Sequence, residues 1–463
     1  MAPSLFRCLR LTETQRTRLH RHLFPGDGFE SVALALCGTR FSDQHQVFCI
    51  YEIFEIPDEN CSLRTPTAVC WPLDPLVPLL NKAMKRGLWV IKIHSHPEGF
   101  DQFSSQDDAT DRELSAALRV IMERDVTHLS AIMTTGGLLK ARLVGVDADW
   151  AQVDRITIIG DEIQFTGIAV STPSDDADLR TRQAFGEGTT RMLKSLSVGV
   201  AGCSGTGSWV VEMLARLGVG RLVLVDPDKI ERKNLNRIIN SRANDVRLGC
   251  LKVEMLRDAV GAMGLGTRME TFASDLANRN AIKALAGCDL LFGCLDSADG
   301  RDLLNRIATF YLLPYIDVGV RLDADGHGGI HQIVCAIHYL LPGGSSLLSR
   351  GVITAEQVGS QALYRTNPEQ HATLQKEGYI KGVAVDHPAV VSLNGFAASH
   401  AVNELLARLH PYRRDSNVDF RYQTFSLTDG AWLRIPDGPA CGLLLRHVGR
   451  GDAIPLIGNP ALS

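Results

Sequence analysis

The 463-residue sequence contains no apolar run near the ~20 residues that a membrane-spanning helix requires, so no membrane-embedded segment is expected. It also has little net charge: 48 Lys and Arg against 52 Asp and Glu give −4, which argues against a generic nucleic-acid or membrane-surface binder. The N-terminal stretch lacks the apolar core and cleavage site of a secretory signal. The eleven cysteines are odd in number and have no paired spacing, which favours a reduced, cytoplasmic protein.

The overall composition, 45% hydrophobic and 22% charged, is that of an ordinary globular protein, and the length predicts two to four domains. The polar, acidic stretch STPSDDADLRTRQ at 171–183 predicts a linker. We therefore expect a first domain over 1–165, a linker over 166–180, and a second domain over 181–463 that ends in additional strands.

Both expected domains alternate between strand-like and helix-like patterns, which indicates an α/β protein. In the first, WVIKIH has the pattern of a strand and lies between two helical segments. In the second, the apolar runs LSVGVAG, RLVLVD and DLLFGCL are each followed by a helical pattern. That order predicts a Rossmann-like, doubly wound parallel sheet.

A candidate metal centre lies in the string IKIHSHPEGFDQFSSQDDATD. If WVIKIH is a strand, His94 and His96 share one face and reach one metal ion. Asp107 opens the next helix and provides a third ligand, which leaves the fourth position of a catalytic zinc site for water. With 14 histidines, one H-x-H is nearly expected by chance. A second pair, at residues 20 and 22, falls in a predicted helix and points to two different sides.

The whole string, H-x-H-P followed by S-x-x-D, resembles the JAMM/MPN metallopeptidases, which cleave ubiquitin-like proteins from lysines. The resemblance covers roughly residues 8–160. It implies that His94, His96 and Asp107 bind one zinc ion and that Glu30, in ESVALALCG, is the general base on the zinc water. It also implies that Ser104 stabilises the developing oxyanion.

A candidate nucleotide site begins with VGVAGCSGTGSW, where Gly202, Gly205 and Gly207 lie between a strand and a helix. Glycines at such a turn let phosphates approach the backbone and the helix N-terminus. Asp226 ends the next strand, where a carboxylate binds ribose hydroxyls. These two features alone would suggest a dinucleotide-dependent dehydrogenase.

The continuation DPDKIERKNLNR, then a lysine, then FGCLDSADGR, resembles the ThiF/MoeB and ubiquitin-activating family of adenylating enzymes instead. The resemblance implies that Asp226 holds the ribose of ATP and that Asp296 binds Mg²⁺. It further implies three contacts to the ATP phosphates, from Asn234, Arg237 and Lys252. The upstream segment LRTRQ resembles the family's arginine segment, so Arg182 is expected to reach a phosphate, often in the partner of a homodimer.

The sequence departs from this family where many members carry a catalytic cysteine or half of a four-cysteine zinc site. Residues 338–353, HYLLPGGSSLLSRGVI, contain serines and no cysteine, and the C-terminal region offers only Cys441. We therefore expect no tetracysteine zinc site. Because a serine hydroxyl is a much weaker nucleophile than a thiol, we expect direct transfer of the acyl-adenylate to a partner protein, with Cys441 or Cys335 as the next alternative.

The leading hypothesis is a bifunctional enzyme of a bacterial ubiquitin-like system, with antiphage defence as one suggested setting. One half would process or deconjugate a ubiquitin-like protein, and the other would adenylate its C-terminal glycine and pass it to a conjugating-type enzyme. The enzymatic alternative is activation of a sulfur-carrier protein for thio-cofactor synthesis. A third possibility, from a different class, is a partly inactive binding scaffold.

Overall fold

The computed structural model describes residues 5–123, 127–145, 149–167, 175–376 and 389–462. The chain forms two compact units. Unit 1 contains residues 1–168 together with 310–312 and 447–463, and unit 2 contains 169–309 and 313–446. The expected boundaries differ from this division mainly at the C-terminus, because residues 447–463 pack with unit 1. Part of the expected linker, 168–174, lies outside the described residues.

Unit 1 is built on one large mixed sheet and a small hairpin. Its described strands are β1 (Phe6–Thr12), β2 (Val32–Phe41), β3 (His45–Glu55), β4 (Leu63–Thr65), β5 (Ala68–Cys70), β6 (Trp89–His96), β7 (His128–Thr134), β8 (Leu139–Val144), β9 (Trp150–Gln152), β10 (Arg155–Ile159) and β11 (Ile163–Thr166). Its helices are α1 (Glu13–Leu23), α2 (Val77–Arg86) and α3 (Ser105–Met122).

The nine-stranded sheet of unit 1 has the order β11-β10-β1-β3-β2-β6-β7-β8-β9. Strand β6 runs antiparallel to β2 and parallel to β7, so it is paired on both edges. Alternate residues enter two separate cores: Ile91 and Ile93 pack on the side of α1, and Val90 packs on the side of α2 and α3. By the same alternation, the two histidines of β6 point toward α3.

Helix α3 begins with a capping box that explains its start. The hydroxyl of Ser104 accepts a hydrogen bond from the backbone N–H of Asp107 at 3.1 Å. In return, the Asp107 carboxylate accepts the backbone N–H of Ser104 at 2.7 Å. Both groups satisfy N–H donors that a helix otherwise leaves unpaired. The cap therefore fixes Asp107 at the first turn, on the side that faces β6.

Residues 447–463 complete unit 1 by packing against the antiparallel β2–β3 pair. The backbone N–H of Asp452 donates to the Thr39 carbonyl at 2.7 Å, and the Tyr311 hydroxyl donates to the Asp452 carboxylate at 2.6 Å. Gly38 is needed at this contact, because a Cβ there would overlap the backbone of Arg450. Leu456, in the same segment, is buried.

Unit 2 contains a second mixed sheet with helices around it. Its described strands are β12 (Ser197–Ala201), β13 (Arg221–Val225), β14 (Arg268–Phe272), β15 (Leu290–Gly293), β16 (Tyr315–Ala324), β17 (Ile330–Leu340), β18 (Tyr422–Ser426) and β19 (Ala431–Arg434). Its helices are α4 (Leu179–Ser195), α5 (Gly205–Arg216), α6 (Ala243–Leu248), α7 (Lys252–Met263), α8 (Arg279–Ala286), α9 (Ala298–Phe310), α10 (Ala355–Thr366), α11 (Pro368–Lys376) and α12 (Val391–Leu409).

The sheet of unit 2 has the order β14-β13-β12-β15-β16-β17-β18-β19. The first five strands in that order are parallel, as predicted for a doubly wound fold. The last three run antiparallel, so the expected parallel sheet is in fact mixed. The strand order reverses between β12 and β15, and in open α/β sheets ligands bind in the crevice at such a switch point.

Candidate active sites

Two histidines and two carboxylates meet at the C-terminal end of β6 in unit 1. The Nε2 atoms of His94 and His96 are 3.2 Å apart. Asp107 places one carboxylate oxygen 2.7 Å from the first of these nitrogens and the other 3.4 Å from the second. Possible ligand atoms of Glu30 and the two histidines lie within 4.8 Å of one another. The sequence-predicted ligands are thus gathered at one point.

The donor set at this point fits a zinc ion. The other ring nitrogen of His96, Nδ1, lies 2.7 Å from the Phe100 carbonyl, the kind of support that ligand histidines usually have. That contact assigns a ring N–H to Nδ1, so Nε2 is the His96 atom that would bind a metal ion. Burial disfavours the Asp107 carboxylate, but hydrogen bonds with His94 and His96 outweigh it and hold the pKa of Asp107 well below its usual range.

Glu30 lies two residues before the start of β2 and is only 5% exposed. Its backbone N–H donates to the Thr65 carbonyl at 2.8 Å, and its carbonyl accepts the Arg64 Nε–H at 3.0 Å. The β4–β5 hairpin therefore holds its backbone. Burial raises the pKa of Glu30 to about 8, so this carboxyl takes up a proton readily near neutral pH. A proton acceptor of that strength suits a general base.

Ser104 is occupied by its own helix. Its hydroxyl donates to the Asp107 carboxylate at 2.8 Å and also caps α3. Its hydroxyl hydrogen is therefore directed at Asp107, a candidate metal ligand. The second histidine pair is separate from this centre: His20 and His22 contact the backbone carbonyls of Thr135 and Val32, at 3.0 and 2.9 Å.

Unit 2 contains a cavity of about 930 Å³ at the switch point between β12 and β15. Seven of the nine residues predicted for the nucleotide site line it: Gly202, Gly205, Asp226, Asn234, Arg237, Lys252 and Asp296. The two that do not line it are Gly207, buried in α5, and Arg182. Gly202 has a φ of +86°, and a Cβ at that position would overlap the Cys294 carbonyl.

Asp226 and Lys252 form the charged wall of this cavity. One Asp226 oxygen accepts the backbone N–H of Cys203 at 2.7 Å, and the other accepts that of Asp228 at 2.9 Å. Lys252 Nζ lies 2.6 Å from the Asp228 carboxylate and 3.6 Å from that of Asp226. Burial lowers the pKa of Lys252, but the negative charge of Asp226 and the contacts with Asp228 outweigh it and raise that pKa above its usual value. The ammonium group is therefore charged and faces the cavity.

The other predicted nucleotide residues occupy different walls. Asn234 is 3% exposed and accepts the Glu231 backbone N–H at 2.9 Å, so part of its hydrogen-bonding capacity is used locally. Arg237 donates to the Lys233 carbonyl at 2.6 Å. Asp296 lies between β15 and α9 and is exposed, as a residue that binds a dissociable cation must be.

Arg182 lies at the start of α4 and contacts its own segment. Its Nε is 2.7 Å from the Asp178 carboxylate, and it donates to the Asp175 carbonyl at 3.2 Å. Within one chain, this arginine does not reach the cavity.

Sequence reasoning missed Arg301, which lines the cavity from α9. Its guanidinium pairs with Asp317 of β16, which is fully buried and also accepts the Tyr315 hydroxyl at 2.7 Å. Burial disfavours the Asp317 carboxylate, yet the positive charge of Arg301 keeps the pKa of Asp317 below its usual value. The arginine lies in FGCLDSADGR, so the resemblance could have identified it. Its partner, sixteen residues later, is set by the fold.

The two segments that would carry a tetracysteine site are joined by an ionic cluster, which we call the loop cluster: Ser345, Arg350, Arg421 and Asp437. The Asp437 carboxylate contacts Arg350 at 2.9 Å, Arg421 at 3.0 Å, and the Ser345 hydroxyl. The Cys441 backbone N–H donates to the Gly344 carbonyl at 2.9 Å. The side chains of this junction are those of an ion-pair network.

The two cysteines considered for a thioester are poorly placed for one. Cys335 of β17 is fully buried, and burial raises its pKa to about 11. Cys441 is 4% exposed. A thiol that attacks an acyl-adenylate must be accessible and partly ionised, and neither cysteine is accessible.

A model described as ThiF family matches residues 177–441. The adenylyltransferase and sulfurtransferase MOCS3 of Drosophila yakuba is 31% identical over 213 residues, 44% of this chain and 46% of that protein. The SAMP-activating enzyme E1 of Haloferax volcanii is 31% identical over 158 residues, 34% of this chain and 54% of that protein. Ubiquitin-like modifier-activating enzyme 5 of Arabidopsis thaliana is 27% identical over 219 residues, 44% of this chain and 48% of that protein. The chain spans about half the length of the curated relatives it matches.

Proposed function

Since the chain belongs to the ThiF family, we propose that unit 2 adenylates the C-terminal glycine of a small carrier protein, with ATP and Mg²⁺. The observation that carries the proposal is the cavity at the switch point, where cationic and acidic side chains surround a space large enough for a nucleotide. In the reaction, the terminal carboxylate attacks the α-phosphorus of ATP. The bond between that phosphorus and the oxygen bridging to the β-phosphate breaks, and pyrophosphate leaves.

The chain's own charges suit this step. A carboxylate and a triphosphate repel each other until positive groups neutralise them. Lys252 and Arg237 line the cavity on one side, and Arg301 lines it from α9. Asp296 would hold Mg²⁺, which supplies further charge neutralisation on the phosphates when it is bound. Asp226, at the end of β13, is proposed to hold the ribose hydroxyls.

The carrier tail has a suitable surface to pair with. Strand β15 pairs with β16 only from Tyr315 to Asp317, within the described residues. The following residues, 318–323, line the cavity and keep β17 on their other edge. A peptide added along that edge satisfies backbone groups in the manner of an extra strand. An extended tail there leads its terminal carboxylate toward the nucleotide.

We favour a sulfur-carrier protein, ahead of a ubiquitin-like modifier, as the small protein that unit 2 adenylates. One relative's name joins adenylyl transfer to sulfur transfer, and two others activate ubiquitin-like or SAMP proteins, so both remain within the proposal. The buried thiols of Cys335 and Cys441 support direct transfer of the acyl group to a partner protein.

ATP–pyrophosphate exchange with candidate carriers that end in glycine tests the proposal. We expect Mg²⁺-dependent exchange that Asp296→Ala abolishes. Asp415→Ala is the matched control, because this exposed carboxylate of unit 2 lies outside the cavity. Exchange that persists in Asp296→Ala, or tight NAD binding with no ATP binding, would contradict the adenylation proposal.

We further propose that unit 1 is a zinc-dependent peptidase that processes or deconjugates the same carrier. The convergence of two imidazoles and two carboxylates supports it. His94, His96 and Asp107 would hold the ion, which when bound polarises a carbonyl and acidifies a water molecule. Glu30 would accept the proton of that water and return it to the leaving amine. Ser104 would stabilise the oxyanion only if its hydroxyl turns away from the Asp107 carboxylate.

Metal content and cleavage of a carrier fusion, measured on the same protein, test this second proposal. We expect one zinc per chain, retained in Glu30→Gln, and a rate reduced by about 10²–10⁴-fold, as is typical for loss of a general base. Glu98→Gln is the control, because this exposed glutamate follows the H-x-H-P string. Only a few-fold loss in Glu30→Gln would refute the general-base role. A chain active in neither assay would support the scaffold.

A further inference from the structure

Four polar side chains are buried beneath α3, next to the candidate metal centre, and we call them the α3 anchor: Lys92, Asp111, Ser130 and Arg142. Three of them form one row across the sheet, since the register pairs Lys92 with Ser130 and Ser130 with Arg142. Asp111 projects onto this row from α3. All four are 4% exposed or less.

The Asp111 carboxylate uses both oxygens in the anchor. One accepts the Ser130 hydroxyl at 2.9 Å and the Lys92 ammonium, and the other accepts Arg142 Nη2 at 2.7 Å and Nε at 3.2 Å. The remaining Arg142 nitrogen, Nη1, donates to Asp108 at 2.6 Å. Two cations thus face two carboxylates. Asp111 is therefore part of a buried ion-pair network.

A buried charge cluster of this kind is a costly way to stabilise a fold. Desolvation costs several kcal/mol per ion, and apolar side chains of similar volume are often as stabilising. The best-attested benefit of buried polar groups is that they select one register among similar packings. Because the anchor joins α3 to β6, the register concerned is that of α3 on β6.

The spacing of helix and strand matches at two points. Asp107 and Asp111 are one turn apart, about 6 Å along α3 on one face. His94 and Lys92 are two residues apart, about 6.7 Å along β6 on one face. The two spacings therefore allow two contacts at once: Asp107 contacts His94, and Asp111 contacts Lys92 one helical turn further along. A slip of α3 by one residue would rotate it by about 100° and break both contacts.

Arg142 also fixes the segment that enters α3. Its guanidinium lies 3.9 Å from the ring centroids of both Phe103 and Trp150. Phe103 immediately precedes Ser104, the cap of the helix. The start of α3 is therefore held laterally by stacking and axially by the Asp111 carboxylate.

We propose that the α3 anchor sets the register of α3 on β6 and thereby holds Asp107 against His94 and His96, ready for a divalent metal ion. The inference rests on the proposed metal centre of unit 1. Asp111 is a positioning residue: it acts through the helix that carries Asp107. Its removal should weaken metal binding even where the fold persists.

Zinc affinity of the full chain, measured by competition with a chromophoric chelator, tests the inference. We expect Asp111→Asn to lower the affinity by about 10–100-fold, the usual effect of losing groups that support metal ligands. Asp108→Asn is the matched control. Asp108 bonds the same arginine, but its side chain is 34% exposed, and we expect less than about a threefold change.

Two further variants separate positioning from stability. In Lys92→Met/Asp111→Leu/Arg142→Met, all three buried charges are removed and the volume is roughly kept, so we expect normal hydrogen-exchange protection of α3 but weakened zinc binding. In Arg142→Lys, the charge remains and the bidentate contact is lost, and we expect a smaller loss of affinity. If the variants with normal protection of α3 bind zinc as tightly as the wild type, the positioning role of the anchor is overturned, and the proposed metal centre is not. If the wild type binds no zinc, the proposed metal centre is overturned with it.

Discussion

Asp437→Ala is the substitution that should most directly reveal how the loop cluster holds unit 2 together. The Arg350 side chain is 3% exposed and that of Asp437 is 13% exposed. Without the carboxylate, Arg350 remains buried and charged, and the Ser345 hydroxyl loses its acceptor. Breaking a buried pair by removing one partner typically costs about 3–5 kcal/mol. Because the Arg421 side chain is 23% exposed and regains hydration, we expect the lower end of that range.

Hydrogen exchange measured peptide by peptide is the suitable assay, because a chain of two units need not unfold in a single step. The Cys441 amide, which donates to Gly344, reports on the junction directly. A loss of about 3 kcal/mol corresponds to exchange roughly 100-fold faster at that amide. The matched control is Asp415→Ala, whose ion pair with Arg434 is exposed on both sides and should leave exchange unchanged.

The same cluster predicts an acid dependence. Burial tends to raise the pKa of Asp437, but the Ser345 hydrogen bond and the charges of Arg350 and Arg421 outweigh it and hold the pKa below its usual value. The stabilisation is therefore present above the unfolded pKa of about 4 and is lost as pH falls through the lower folded value. Protection equal in the variant and the wild type at pH 7 would refute this account of the junction.

Three further outcomes are expected. Chelation of zinc should abolish cleavage by unit 1 and leave pyrophosphate exchange intact; loss of both would show that the metal serves unit 2 as well. If an arginine is shared across a homodimer, mixing Arg182→Ala with Lys252→Ala chains should restore part of the exchange activity, whereas a fully active monomer would exclude sharing. On a gel without reducing agent, the carrier and ATP should give no thiol-sensitive adduct; an adduct lost in Cys335→Ser or Cys441→Ser would refute direct transfer.

The meeting of His94, His96 and Asp107 could be predicted because these residues are close in sequence and their elements have simple periods. His94 and His96 share a face through the two-residue repeat of a strand, and Asp107 follows a capping serine by three residues. Asp111 is four residues further along, yet its contacts could not be predicted. Its partners Lys92 and Arg142 come from two other strands, and local spacing carries no information about which strands become neighbours.

The sequence pattern of strand β1 does not predict a strand, for a related reason. Its sequence, FRCLRLT, contains two arginines and lacks a clean apolar alternation. Arg10 is nevertheless 2% exposed and donates to the Tyr311 carbonyl at 2.9 Å. An acceptor 301 residues away makes that burial possible, and only the folded chain brings it there. In unit 2, the meeting of Gly202, Asp226 and Asp296 at one cavity could be predicted because each follows the end of a parallel strand, whereas the antiparallel strands after β16 have no such marker.

Because unit 1 is built from separate segments of the chain, its fold can be completed only late in synthesis. Its large sheet is encoded early in the chain, but residues 447–463, which pack against β2 and β3, emerge only after roughly 280 further residues have been translated. At about 5–20 residues per second, the interval is about 15–55 seconds. During that time, the surface around Gly38 stays open on the nascent chain, while the strands and helices of unit 2 are still being synthesised. Ribosome stalling within unit 2 should therefore leave the β2–β3 pair of unit 1 without the segment that packs against it.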